Sequence, residues 1–163
     1  MDADCGQIRA CAPGTRVTAG VGRPCSNPRM HKVVLGALVL GGRVLLVHRR
    51  PDKRAYPGVW DLPGGLMEAG ESELVALTRE LHEELGVRIA AGSAVHLCRW
   101  TAGSAREPAR LSAWIVRDWH GNPANIAPEE HDDLAWFGLE EMPPPVHASM
   151  RTALVSAMQE QPG

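Results

Sequence analysis

Residues Gly65 to Val87 read GLMEAGESELVALTRELHEELGV, and the rest of the chain is best understood outward from them. Leu74, Leu77, Leu81 and Leu85 recur at spacings of three and four, which places them on one side of a helix. Gly86 supplies a left-handed stop, so the spacing predicts a helix over Glu71 to Leu85. At about 100° per residue, Glu80, Glu83 and Glu84 fall on an arc beside the leucines. Carboxylates three and four positions apart are neighbours, and like charges there cost about 0.2–0.5 kcal/mol per pair. Something has to neutralise them. A hard cation such as Mg²⁺ or Mn²⁺ is suited to clustered oxygen ligands. The alternative is a solvated acidic face partly paired with Arg79 and Arg88.

Upstream, Lys32 to Leu40 (KVVLGALVL) and Arg43 to His48 (RVLLVH) are β-branched and leucine-rich runs separated by Gly41 and Gly42, the signature of a hairpin. A loop with Pro51, Pro57 and Gly58 follows, and a short extended piece, Val59 to Leu62, runs into Pro63, Gly64 and Gly65. Downstream, strands are expected at Ala94 to Trp100, Leu111 to Trp119 and Leu134 to Phe137, and a final helix from about Val146 to Met158. The expected class is α+β, an α/β/α sandwich whose mixed β-sheet is flanked by helices. Met1 to about Pro28 shows neither helical nor strand periodicity and reads as a disordered N-terminal extension. Met30, just before the first strand, is an alternative start.

A length of 163 residues with 44% apolar content fits one domain with a single core. Seventeen basic against 19 acidic residues give a net charge of -2, which speaks against polymeric nucleic acid as a partner. Cys5, Cys11, Cys25 and Cys98 have neither zinc-site nor disulfide-framework spacing, so ordinary thiols in a reducing compartment are expected. The chain has no apolar run long enough to span a membrane and no secretory signal pattern near Met1. The expected location is therefore the cytoplasm, away from membranes.

The segment from Gly65 resembles the Nudix box: Gly, five residues, Glu, seven residues, Arg-Glu-apolar, one residue, Glu-Glu, one residue, Gly-apolar. Gly65, Glu71, Arg79, Glu80, Leu81, Glu83, Glu84, Gly86 and Val87 fill every specified position. The resemblance displaces the solvated-face reading and implies a Nudix fold, with residues 1–29 as a flexible extension and residues 30–163 as a Nudix hydrolase domain. It implies Glu83 and Glu84 as metal ligands, Glu80 as a third ligand or the residue that activates water, and the Gly64 carbonyl as a further ligand. Gly65 and Gly86 would shape the loops, and Glu71 would pair with Arg79 to orient the carboxylate helix. The cofactor implied is Mg²⁺, with Mn²⁺ as a substitute.

Beyond the box, the chain is similar to the MutT-type branch through Leu62 to Gly65 (LPGG) and through Arg50, with Arg49 beside it, where that branch meets phosphate. Its loop before the last strand carries a further carboxylate, for which Glu129 and Glu130 in Ala127 to Asp133 (APEEHDD) are the equivalents; a polar surface turn is the alternative. The signatures that mark ADP-ribose, diadenosine polyphosphate, NADH and coenzyme A hydrolases are absent. The expected reaction is hydrolysis of a (deoxy)nucleoside triphosphate to monophosphate and pyrophosphate, by a monomer or homodimer acting on a small nucleotide. The competing possibility is a regulatory Nudix domain that binds a nucleotide without turnover. Trp60, Trp100, Trp114, Trp119 and Trp136 all lie in or beside expected strands, where packing is their commoner use. His48, His96, His131 and His147 show no spacing that suggests a metal site.

Overall fold

Gly41 (φ 57°) and Gly42 (φ 73°) turn the chain between β1 (His31–Leu40) and β2 (Arg43–Arg49). Positive φ at both central residues is what a two-residue hairpin requires. The computed structural model, which describes residues 29–144 and 147–160, shows that this hairpin opens almost at once. β1 and β2 pair only at Val39↔Val44 and Leu40↔Arg43 before diverging. The segment after the proline-rich loop bridges the gap. β3 (Trp60–Asp61) pairs with the far end of β2, and β4 (Gly64–Leu66) pairs with β1 at Leu35↔Gly64. Gly64 and Gly65 thus stand where the sheet splits.

On the outer side of β1 lies β7 (Pro108–Val116), parallel to it from His31↔Ala109 to Leu38↔Val116, and beyond β7 the antiparallel β6 (Ala94–Gly103). β9 (His131–Gly138) closes the other side against β2. The parallel pair among antiparallel ones makes the sheet mixed, as expected. A separate small ladder joins β5 (Arg88–Ile89) to β8 (Trp119–His120).

Helix α1 (Glu73–Leu85) covers one face, where Ala76, Leu77, Leu81 and Leu85 pack on Val34, Leu38, Leu45 and Val47. Helix α2 (Ala148–Gln159) covers the other through Met150 and Leu154, against Leu35, Leu46 and Ile115. Gly36 lets α1 approach: a Cβ there would lie 2.9 Å from Leu81 Cδ1. The result is the expected α/β/α sandwich. No helix among the described residues is long and apolar enough to cross a membrane.

Three details depart from expectation. α1 begins two residues later than its apolar spacing suggests, because Ser72 takes the cap and accepts from the Val75 N–H. Leu74 is 45% exposed, and Ala76 takes its place in the buried face. β4 and the β5–β8 ladder are too short to leave a pattern in sequence. The extension expected over residues 1–29 lies, except for Arg29, outside the described residues.

Candidate active site

The site begins with the two glycines at the split. At φ 139°, Gly64 takes a conformation that L side chains rarely adopt, and a Cβ on it would come within 2.1 Å of the Val34 carbonyl oxygen. Its N–H donates to Glu84 Oε2 at 2.9 Å. A Cβ on Gly65 would lie 2.6 Å from Glu80 Oε2, so the bare backbone at Gly65 makes room for that carboxylate. The loop is therefore shaped around the acids of α1.

Arg79 organises those acids. It donates to Glu71 through Nε (2.8 Å) and Nη2 (2.9 Å), a two-pronged pair. Its Nη1 reaches Glu80 Oε1 at 2.7 Å and Glu83 Oε2 at 3.3 Å, and Nη2 also reaches the Leu66 carbonyl at 3.0 Å. The Arg79 guanidinium, with help from the Glu68 N–H, holds the Glu71 carboxyl down at about 2. One arginine thus ties the loop before α1 to the acids in the second half of the helix.

Glu84 differs from its neighbours. It is only 6% exposed and belongs to the buried face of α1. Burial pushes its pKa up to about 8, the nearby acids Glu80 and Glu130 add to the rise, and the Gly64 N–H and Arg49 oppose it. Burial also raises Glu80. Glu83 lies at the exposed edge. Glu80 and Glu83 lean on Arg79 while Glu84 turns to Gly64, and among the described residues no three ligating side chains converge on one point. The donor set nevertheless suits a hard divalent cation. It consists of carboxylate oxygens around a glycine turn, one of them buried with no cationic side chain in contact and its charge disfavoured by neighbouring acids.

The arginine pair at the end of β2 divides. Arg50 is engaged by Asp52 (3.0 and 3.2 Å) and the Pro128 carbonyl (3.4 Å). Arg49 donates to the Ala55 carbonyl at 3.0 Å, and its charge is felt by Asp61, Glu84 and His131. Arg49 therefore lends its charge to the buried Glu84, while Arg50 is taken up by Asp52 and the Pro128 carbonyl. In the loop before β9, Glu130 is partly buried, near enough to influence Glu84, and bonded to Lys53 at 2.7 Å. Glu129 is exposed.

Sequence spacing gave no hint of two further residues. His131 is 2% exposed, and its Nε2 stands 3.9 Å from Glu84 Oε1. Burial, reinforced by Arg49, pushes its pKa down to about 4 and keeps it neutral. Asp61 is also buried, with the Leu62 N–H its one hydrogen-bond partner among the described residues, and burial raises it to about 6. Both reach the site by strand pairing across β2, to which local sequence is blind.

A mixed sheet between two helices, with a glycine loop and an acidic helix meeting at its split, defines a MutT-like hydrolase architecture. The model of the NUDIX domain matches residues 30–156, and the chain belongs to the Nudix hydrolase family. It is 36% identical over 117 residues to the CTP pyrophosphohydrolase of Escherichia coli, a match that covers 69% of this chain and 79% of that one. It is 54% identical over 59 residues to a putative 8-oxo-dGTP diphosphatase 2 of Mycobacterium tuberculosis, covering 36% of this chain and 40% of that one. Among solved structures, the MutT NUDIX hydrolase of Burkholderia pseudomallei superposes with a TM-score of 0.69 at 30% identity, covering 78% of this chain and 97% of that one. The ORF135 protein of E. coli gives 0.68 at 30% identity, covering 86% and 99%.

Proposed function

We propose that this Nudix hydrolase cleaves nucleoside or deoxynucleoside triphosphates to monophosphate and pyrophosphate with Mg²⁺ as cofactor. The observation that carries the reading is the buried Glu84 held by the Gly64 N–H beside Glu80, an acidic pocket at the split of the sheet. Support for the substrate class comes from the relatives named for CTP and 8-oxo-dGTP.

Glu80, Glu83 and Glu84, with the Gly64 carbonyl, would hold the cation. Bound there, Mg²⁺ would supply charge neutralisation on the phosphate oxygens and a lowered pKa for water. The protein's own groups do the rest. Arg79 fixes the orientation of Glu80 and Glu83, and Gly64 that of Glu84. Arg49 presents positive charge to the substrate phosphates at the same end, with Arg50 beside it. A carboxylate accepts the proton of the attacking water, either Glu80 on α1 or Glu130 on the facing loop. Of the two loop glutamates, Glu130 is favoured over Glu129 by its burial and its influence on Glu84.

The test is pyrophosphate release from a panel of canonical and oxidised nucleoside triphosphates, with and without Mg²⁺, in the wild type and in Glu84→Gln. Metal-dependent release is expected. Glu84→Gln should reduce it by more than the roughly 10- to 100-fold that loss of an outer-shell partner costs. Unchanged turnover in Glu84→Gln would refute the placement of the cation, and no release from any triphosphate would refute the substrate class.

A further inference from the structure

The loop between β2 and β3 holds a lysine turned away from solvent. From Pro51 to Gly58 every residue is exposed except Lys53, whose side chain is only 23% exposed. A lysine is ordinarily the residue that such a loop gives to water, because its ammonium is strongly hydrated. Here the ammonium Nζ lies 2.7 Å from Glu130 Oε1, on the loop before β9.

The backbone frames this pair. The Lys53 N–H closes a turn on the Arg50 carbonyl (3.2 Å), and the Glu130 N–H closes another on the Ala127 carbonyl (2.9 Å). The Arg50 N–H joins the two turns by donating to the Glu130 carbonyl at 3.2 Å, and Arg50 Nη1 adds a link to the Pro128 carbonyl at 3.4 Å. The loops are thus joined without the ion pair, and Lys53 can leave Glu130 without parting them.

Neighbouring cations are committed elsewhere. Arg50 is held by both oxygens of Asp52, Arg54 by Glu107 at 3.0 Å, and Arg79 by Glu71 and Glu80. Lys53 differs from these guanidinium groups in kind. It is a compact charge with three donors on a flexible stem, able to swing between acceptors while its backbone stays in place. Its pair with Glu130 is partly open to water, and such pairs are held weakly. Its charge also reaches the buried end of the site: Lys53 and Glu130 both act on His131, whose Nε2 stands 3.9 Å from Glu84 Oε1. A positive charge at this place opposes a divalent cation among Glu80, Glu83 and Glu84, and attracts a phosphate chain.

We propose that Lys53 is an exchangeable cation, which occupies Glu130 in the free protein and moves to a phosphate oxygen when the substrate enters, leaving Glu130 to accept the proton of the attacking water. Phosphate competes well for the ammonium, because a triphosphate offers several negative charges and many acceptor oxygens where Glu130 offers one charge and two oxygens. Glu130 is thereby freed only by a ligand that carries phosphate. The inference rests on the triphosphate reading above for the identity of the substrate, while the exchange itself is measured with metal and pyrophosphate alone.

The experiment uses Lys53→Met, which keeps the apolar stem and deletes the charge, in the full chain. Mn²⁺ binding is followed by electron paramagnetic resonance without phosphate, and binding of inorganic pyrophosphate at saturating Mg²⁺ by calorimetry. The two affinities should move in opposite directions. Mn²⁺ should bind about two- to fivefold more tightly once the neighbouring positive charge is gone. Pyrophosphate should bind roughly tenfold or more weakly, because a charge-assisted bond is lost. A lysine that merely ties the loops would weaken both or neither, and Lys53→Gln serves if the Met variant unfolds. The proposal is overturned if Mn²⁺ binding is unchanged or weaker in the variant, if pyrophosphate binding is unchanged or tighter, or if the wild type binds no pyrophosphate. Opposite shifts in a protein that hydrolyses no triphosphate would refute the substrate class and leave the exchange standing.

Discussion

The two helices of the sandwich are made in different ways. Helix α1 carries its own start and stop: Ser72 Oγ accepts from the Val75 N–H at 3.3 Å, and Gly86, at φ 72°, donates its N–H to the His82 carbonyl. Helix α2 has neither. Its N-cap, His147, makes no side-chain cap bond, its last residue is followed by an ordinary right-handed turn at Glu160, and its first turn holds no acid. It is fixed instead by Met150 and Leu154 in the core, by Arg117 Nη2 reaching the Ala157 carbonyl (3.1 Å), and by Arg151 Nη1 reaching the Met142 carbonyl (3.4 Å). A helix that must present acids in fixed register is specified locally, against the repulsion among those acids. A helix held by its neighbours needs no side-chain cap, and His147 stands at that position without making one.

The strongest way to break this contrast is through the register of α1. Arg79→Lys keeps the charge but loses the fork that spans Glu71, Glu80 and Glu83, and metal-dependent kcat/KM should fall roughly 10- to 100-fold with little change in fold. Wild-type kcat/KM in that variant would show that the acids hold their positions unaided. The seating of α1 on the sheet is tested by Gly36→Ala, whose new methyl group meets Leu81 Cδ1 at 2.9 Å. Overpacking of this kind costs about 1–3 kcal/mol, measurable as a shift in the urea midpoint.

A pH series probes the strand that feeds the glycine turn. The Asp61 pKa rises from 3.8 to about 6 in the folded protein, so the folded state binds the proton more tightly than the unfolded one. Its protonated form stabilises the fold fully below pH 3.8, and that contribution is lost as the pH climbs towards 6. Asp61→Asn removes this dependence. The melting temperature of the variant relative to wild type should rise between about pH 4 and 6 and level off above; a constant difference would show that the carboxyl is not desolvated as described. The smallest effect is expected at the α1 cap, where Ser72→Ala should cost about 1 kcal/mol in chemical denaturation. An unaltered midpoint would mean that α1, like α2, is held by packing alone.

Much of the fold was legible because the relevant rules are local. The glycine pair between β1 and β2, the leucine spacing of α1 and the stop at Gly86 each concern residues within a few positions of one another. Leu74 misled because periodicity marks a stripe without saying where the sheet beneath it ends. The pairings of β4 with β1 and of β9 with β2 had no such signal, since a short strand is made by its partner.

The acids of the site divide in the same way. Glu71, Arg79, Glu80, Glu83 and Glu84 could be singled out by spacing and motif, because one helix and its leading loop hold them. That Glu84 is buried while Glu83 is exposed, that Arg49 lends its charge to Glu84, and that Glu130 is half-buried and raises Glu84 while Glu129 is exposed follow from strands meeting across the split. By itself, the sequence determined the hairpin, the acidic helix and the family, all encoded in contiguous residues. Only the tertiary structure decided which charges are desolvated and which rings meet, because burial and long-range contact depend on segments far apart in the chain arriving at the same place.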